Sequence, residues 1–249
     1  MNRSIITFLL LYFSITANAQ NLKAEQIKAV SSFIYNVKNQ NVEELSNHIL
    51  YPLKRPYPLS EIKDKTDFRR RYKEIFDNKL VEMISNSKPS GDWSSVGWRG
   101  IMLLNGVVWL DDEGKLISIN YQSDIEKRKI VALIKLDKSK LYPSLRNFET
   151  PVHVLKTAKY RIRIDDLGKG NYRYSSWPIK SSVNSKPSLV VTKGAYIPDG
   201  SGGNHIFRFK NLDYTYDCHI IVMGERNHPP AKVLIYKGVK LISSSKATL

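Results

Sequence analysis

The chain has 249 residues, a net charge of +16 at neutral pH, 42% apolar residues and a single cysteine. That apolar content excludes a disordered or low-complexity chain. A lone Cys218 excludes an internal disulfide, and with it the small stapled scaffolds common among secreted proteins.

Met1-Asn2-Arg3 is a basic start, Ile5 to Ile15 is a short apolar run, and Ala17-Asn18-Ala19 ends it with small residues. These are the three parts of a secretory signal peptide, with cleavage expected near Ala19-Gln20. The run is shorter than the ~20 residues a bilayer-spanning helix needs, and no later stretch reaches that length. No cysteine follows the triplet to carry a lipid. The expected product is a free protein of the periplasm or the exterior.

Residues 20–124 read as one domain. Ile27, Val30, Ile34 and Val37 recur at helical spacing. Asn41 stands three residues before Glu44, which predicts a capping box at the start of a second helix carrying Val42, Leu45 and Ile49 and stopped by Pro52. Phe68, Tyr72, Ile75 and Phe76 predict a third helix with Arg69-Arg70-Arg71 on its solvent side. From Trp93 the period changes to that of strands. Ile101–Leu104 and Val107–Leu110 flank Asn105-Gly106, a tight-hairpin signal, and Lys115–Gln122 follows as a further strand. Helices followed by an antiparallel meander make this half α+β.

Four stretches of this half, Tyr51-Pro52-Leu53, Asp92-Trp93, Val96-Gly97-Trp98-Arg99-Gly100-Ile101-Met102 and Asn105-Gly106-x-x-Trp109-Leu110, carry a family likeness. Over residues 22–122 the chain resembles exported members of the nuclear-transport-factor-2-like superfamily. The resemblance implies a cone-like fold, with helices packed on a curved antiparallel sheet around an internal pocket. That superfamily includes isomerases, dehydratases, cyclases and non-catalytic binders, and no catalytic motif of its enzymes transfers onto these residues. Tyr51, Trp93, Trp98, Arg99, Trp109 and Tyr121 are the candidate pocket residues, because aromatic walls with a few polar groups suit a small ligand. The same side chains also suit plain core packing. His48, Glu82 and Asp92 are the groups an enzyme would use in that cavity.

Residues 125–155 read as a basic connection whose apolar stretch Ile130–Leu136 is a strand of one neighbour or the other. Residues 156–249 read as an all-β domain, a small antiparallel barrel or sandwich with strands at Tyr160–Asp165, Tyr172–Trp177, Ser188–Thr192, His205–Lys210, Tyr214–Met223 and Ala231–Tyr236. Lys and Arg outnumber Asp and Glu by only 15 to 14 over residues 20–124, but by 23 to 9 over residues 125–249. The excess points to an anionic partner or to solubility alone. Arg161 and Arg163 alternate with Tyr160, Ile162 and Ile164, and with Arg173 beyond the Gly168-Lys169-Gly170 turn they form the candidate anion-binding face. An exported protein meets acidic glycans and lipids, so no nucleic acid is expected.

No metal, cofactor or catalytic residue is expected. His48, His153, His205, His219 and His228 lack zinc-site spacing, and Asp199-Gly200-Ser201-Gly202-Gly203 is neither a phosphate loop nor a nucleophile elbow. Cys218 and His219 are adjacent on a strand, so they point to opposite faces. The expected function is that of an exported, non-enzymatic envelope protein binding a small ligand or an anionic envelope component. The alternatives are an isomerase, dehydratase or hydrolase using the first domain's cavity, and an inhibitor or immunity protein for a secreted hydrolase.

Overall fold

The structure is a computed structural model that describes residues 21–200, 202–225 and 227–249. The expected signal segment lies outside the described residues. The chain is a mixture of helix and antiparallel sheet, and its contacts divide it into two compact units. The first holds the described residues up to Lys54 together with Glu61–Ser123; the second holds Arg55–Ser60 and Asp124–Leu249.

In the first unit α1 (Ala24–Lys38), α2 (Val42–Asn47), α3 (Lys65–Ile75), α4 (Asn78–Ser85) and the single turn α5 (Pro89–Asp92) precede the sheet. β1 (Trp93–Ser95), β2 (Ile101–Leu103), β3 (Val108–Leu110) and β4 (Leu116–Ile119) pair antiparallel in chain order. α1 buries Val30, Phe33 and Val37, whose spacing puts them on one face, within a core that includes Phe68, Ile75, Leu80, Ile84, Ile101, Leu103 and Leu110. Each such side chain contributes ~1.5–3 kcal/mol on burial. α3 and α4 begin at Asp64 and Asp77, whose carboxylates accept the backbone N–H groups of Asp67 and Leu80 at 2.9 and 3.0 Å.

Three local expectations are corrected here. Asn41 does precede α2, but its side-chain amide donates to Asn36 Oδ1 at 3.1 Å and caps nothing. Arg71 is buried at 2% exposure, because it lies three residues after Phe68 and four before Ile75, inside the apolar stripe. Its guanidinium reaches the Glu61 carbonyl and the Glu74 carboxylate, each at 3.3 Å, while Arg69 and Arg70 pair outward with Glu43 and Asp67. Asn105-Gly106 lies in a longer loop, since Leu103 pairs with Val108.

The second unit opens with α6 (Asp124–Lys140) and a 3-10 turn at Pro143–Leu145. Then come β5 (Thr150–Lys156), β6 (Tyr160–Asp166), β7 (Tyr172–Pro178), β8 (Leu189–Pro198), β9 (His205–Asn211), β10 (Tyr214–Ile220), β11 (Ala231–Lys237) and β12 (Lys240–Ala247). The eight strands form one sheet in unbroken chain order, every neighbour antiparallel. The sheet curls until its ends meet, where Lys156 and Thr248 exchange both backbone hydrogen bonds at 3.0 Å. Its inner face packs Leu155, Ile162, Ile164, Tyr174, Phe207, Phe209, Cys218 and Val233. Its outer face carries a second cluster, Trp177 with Leu141, Leu145 and Phe148.

Residues 125–155 are therefore not a connection. Ile130–Leu136 is helix, part of α6, because the partly buried Ile130, Leu133, Ile134 and Asp137 follow a helical stripe while Val131 and Leu136 stay exposed. β5 is the sheet's first strand, so the second unit begins before residue 156 and includes α6.

The excursion Arg55–Ser60 is tied to α6 by a fully buried ion pair. Arg55 Nε donates to Glu126 Oε1 at 2.8 Å, Nη2 donates to Oε2, and both side chains have zero exposure. Removing one partner takes the paired counter-charge from the other, buried group. Glu126→Ala is expected to lower unfolding stability by about 3–5 kcal/mol, whereas Arg55→Met combined with Glu126→Leu stays near the parent. Guanidinium-chloride titration checks this; equal losses in the single and double variants would contradict it.

Candidate functional site

The six aromatic and polar residues expected to wall a pocket in the first unit do not converge. Pairing across the sheet places Trp93, Leu103, Val108 and Ile119 in one row facing the core, and Met102, Trp109 and Ser118 in the row facing the other way. Trp93 is 3% exposed, its ring meets Phe33 edge-on at 6.0 Å, and its indole N–H donates to Ser87 Oγ at 2.9 Å. It is a core residue. Trp109 donates to the Gly106 carbonyl at 3.0 Å from the opposite face. Trp98 is 68% exposed, with the Arg99 guanidinium 5.5 Å from its ring. Tyr51 donates to the Ser46 carbonyl at 3.0 Å, and burial pushes its phenol pKa up to about 12. Tyr121 donates to the Asp77 carboxylate at 2.8 Å. A cavity of 80 Å³ in this unit, beside Phe33, Asn36 and His48, touches none of the six. At ~30 Å³ per molecule it has room for two or three waters. His48 contacts Glu44 on the surface, Asp92 accepts the Lys88 backbone N–H at 2.7 Å, and Glu82 is exposed on α4.

Of the expected anion-binding face, Arg163 and Arg173 are 3% and 5% exposed. They are not on a solvated surface, because the turn Pro143–Leu145 and α6 cover that side of β6 and β7. Asp165 accepts Arg163 Nε and Arg173 Nη2, each at 2.7 Å, and is fully buried. Arg163 also forks onto Asp137 of α6 at 3.1 and 2.6 Å, and Arg173 donates to the Leu145 and Asn147 carbonyls. Burial pushes the Asp165 carboxyl up from the ordinary range while both guanidiniums pull it back. The Phe148 ring lies 4.6 Å from Lys138 Nζ and 4.9 Å from the Arg163 guanidinium carbon. Arg161 donates to the Ser181 carbonyl at 3.0 Å. These arginines hold the fold together.

The site the sequence did not reveal is a cleft of 710 Å³ where the curl fails to close. After Lys156 the chain turns through Thr157–Lys159 into β6, so nothing from β5 lies beside the earlier part of β12. β6 supplies Tyr160 and Ile162 to the cleft, β7 supplies Tyr174, and β11 supplies Val233 and Ile235. On β12, Ser243 and Ser245 oppose Ile235 and Val233 on the inner face, while Ser244 and Lys246 line the cleft from the strand's edge. The wall is apolar and aromatic on one side and hydroxyl-rich on the other. Burial pushes the Tyr174 phenol up, so it remains neutral. Among the described lining residues the only charged groups are Lys159 and Lys246. Lys246 stands directly opposite Lys232, and Lys237 opposite Lys240, so the last hairpin carries two like-charge cross-strand pairs, all exposed. One signal was available: Ser243-Ser244-Ser245 interrupts apolar alternation where a sheet core would want aliphatic residues.

The other end of the curl is packed. His153, His205, Tyr196, Phe207 and Tyr172 form a ring cluster, with His153 and His205 stacked at 6.0 Å. Burial, and secondarily the neighbouring His205, lower the His153 pKa to about 4. Cys218 faces this inner side, its thiol pushed up by burial, and His219 faces outward, so the two share no proton. Among the described residues no group of three or more His, Cys, Asp or Glu could hold a metal ion. No family model, curated protein or solved structure matches the chain.

Two measurements check these assignments. Arg163→Gln and Arg173→Gln each break a pair with buried Asp165 and are expected to cost about 3–5 kcal/mol in urea unfolding. Arg161→Gln, which loses only bonds to carbonyls, is expected to cost about 1 kcal/mol. Equal stability of all three would return the arginines to the surface. For His153, the folded pKa lies below the unfolded value of 6.5, so its contribution is present above that value and lost as pH falls toward 4. Stability is expected to drop by about 2 kcal/mol between about pH 7 and about pH 5, and His153→Phe to flatten that slope. Thermal melts across this range supply the measurement, and an unchanged slope in the variant contradicts the assignment.

Proposed function

We propose that this chain is an exported, non-enzymatic binding protein of the cell envelope, whose second unit is a β-barrel-like domain holding a small ligand in its open seam. The observation that carries the reading is the 710 Å³ cleft, which lies within the ~300–1,000 Å³ range of small-molecule sites. Its wall mixes aromatic and aliphatic side chains with a few hydroxyls, the composition such sites favour. Among the described lining residues the titratable groups are Lys159, Lys246 and the phenols of Tyr160 and Tyr174, the last pushed up by burial, a set that supports binding over acid–base chemistry near neutral pH. Export rests on the basic start, apolar run and small-residue triplet of residues 1–19.

The proposal treats the two units as separate domains. For residues 22–122 it keeps the nuclear-transport-factor-2-like type, on the order of helices before a four-stranded antiparallel sheet. It gives that domain a supporting role, because the aromatic residues that would have walled a pocket are spread between core, surface and opposite sheet faces.

Native mass spectrometry of the protein recovered from the envelope of the cell that secretes it tests both parts at once. The expected spectrum shows a chain beginning near Gln20 and carrying a non-covalent small-molecule adduct, which Ser245→Trp removes. A full chain from Met1 would overturn export. An adduct indifferent to Ser245→Trp would overturn the cleft as its site.

A further inference from the structure

We infer that the occupant of the cleft is an amphipathic anion, with an apolar acyl or aryl body lying on the inner wall and a carboxylate, sulfonate or phosphate head at the seam. This rests on the cleft being the binding site, and it adds the ligand's chemistry. Two independent observations point to it.

The first is the polarity of the lining. The body of the cleft presents Ile162, Val233 and Ile235 with the ring of Tyr174, an uncharged surface that favours apolar atoms. The charged groups at its border, Lys159 and Lys246, are both cationic, and among the described lining residues no carboxylate neutralises them. A neutral apolar ligand leaves those two amines with water alone. A cationic one is repelled. An anion whose head reaches the open edge of β12 meets the Lys246 ammonium and the Ser244 hydroxyl, which share one face there, just beyond the inward Ser243 and Ser245.

The second is the charge pattern of the hairpin that borders the seam. Lys232 and Lys246 are directly opposite on β11 and β12, and Lys237 and Lys240 repeat the arrangement at the turn end. Like charges facing across a pair of strands destabilise the sheet. These pairs weaken the unliganded hairpin, and an anionic head beside Lys246 relieves the nearer one. The size is consistent as well: at ~30 Å³ per non-hydrogen atom, the cleft's 710 Å³ has room for about two dozen atoms. That suits one medium-length amphiphile.

Two fluorescent probes that share one skeleton separate charge from shape. 1-Anilinonaphthalene-8-sulfonate is anionic, and N-phenyl-1-naphthylamine is the same aryl body without the sulfonate. The mature protein is expected to bind the anionic probe about tenfold more tightly, the size of one charge-assisted hydrogen bond. Raising the salt concentration erodes that preference. Lys159→Gln with Lys246→Gln is expected to abolish it while leaving the neutral probe's affinity within about twofold. Laurate is expected to displace both probes more effectively than dodecanol, and the same comparison with dodecyl phosphate distinguishes a carboxylate from a phosphate head. Ser245→Trp fills the cleft and abolishes both probes, and Ser243→Trp serves the same purpose if the first variant melts at a lower temperature. Equal affinities for the two probes in the parent, or a preference that survives loss of both lysines, overturns the inference. If those equal affinities still vanish on blocking the cleft, the binding site itself stands. Probes indifferent to both tryptophan variants would bring down the site and the inference together.

Discussion

A curled sheet closes only if its first and last strands run alongside each other, and here they share one residue pair. Lys156 and Thr248 exchange two hydrogen bonds, after which β5 gives way to the Thr157–Lys159 turn while β12 still has most of its length on the unpaired side. Antiparallel pairing alternates, so the backbone groups of Ser244 and Lys246 point along the same edge as those of Thr248. That edge faces the cleft. An edge left open must be wetted, paired or protected, and the serine run with its flanking lysine provides polar protection in place of a packed seam. Breaks in register at Pro151/His153, Tyr172/Tyr174 and Ile235/Tyr236 supply the bending that brings the two ends together. Gly194 does related work inside the curl. A Cβ there would sit 2.1 Å from the Phe209 ring, so a larger residue would have to displace that buried ring.

The charge of the second half divides into two populations with different physics. Arg163, Arg173 and Arg55 are desolvated and held by Asp165, Asp137 and Glu126, and Arg208 forks onto Asp217 at 2.8 and 2.7 Å. The planar guanidinium suits these paired positions, because it meets a carboxylate with two parallel bonds. The lysines Lys232, Lys237, Lys240 and Lys246 are instead exposed on the last hairpin. A surplus counted along the chain therefore overstates the arginine contribution to the surface, which also carries exposed lysines from α6 through β9.

Periodicity made the helices α1 and α3 and the strands β6, β7, β9 and β11 legible, because each carries one apolar face with little ambiguity. Ile130–Leu136 was not, since a short run of consecutive apolar residues fits a buried strand as well as a helix. The outer charged residues of α6 and its partly buried Asp137 decide the matter only once β6 is there to pair with. β12 escaped notice because serines occupy its inward positions. The candidate site failed for a related reason. Trp93 and Trp109 looked alike in the sequence, but which face a strand residue takes depends on register, and register is settled by partners the sequence does not display. Alternation assigns Arg163 to the correct face of its strand; what the sequence withheld is that α6 and the Pro143–Leu145 turn cover that face.

The packed and open ends of the curl also differ in what they ask of the chain. At the packed end, His153, His205 and Phe207 fill the interior with rings, and burial among them favours the neutral form of His153. At the open end, Ser243 and Ser245 stand where aliphatic side chains would complete the layer begun by Val233 and Ile235. Leu241 and Ile242, nearby on the same strand, are each 49% exposed. Apolar residues inward and serines outward would have made a more stable strand by burial alone. A sequence that reverses this choice gives up stability at one location and keeps an accessible concave surface there. Such a local sacrifice of burial is what the binding role proposed for the seam requires.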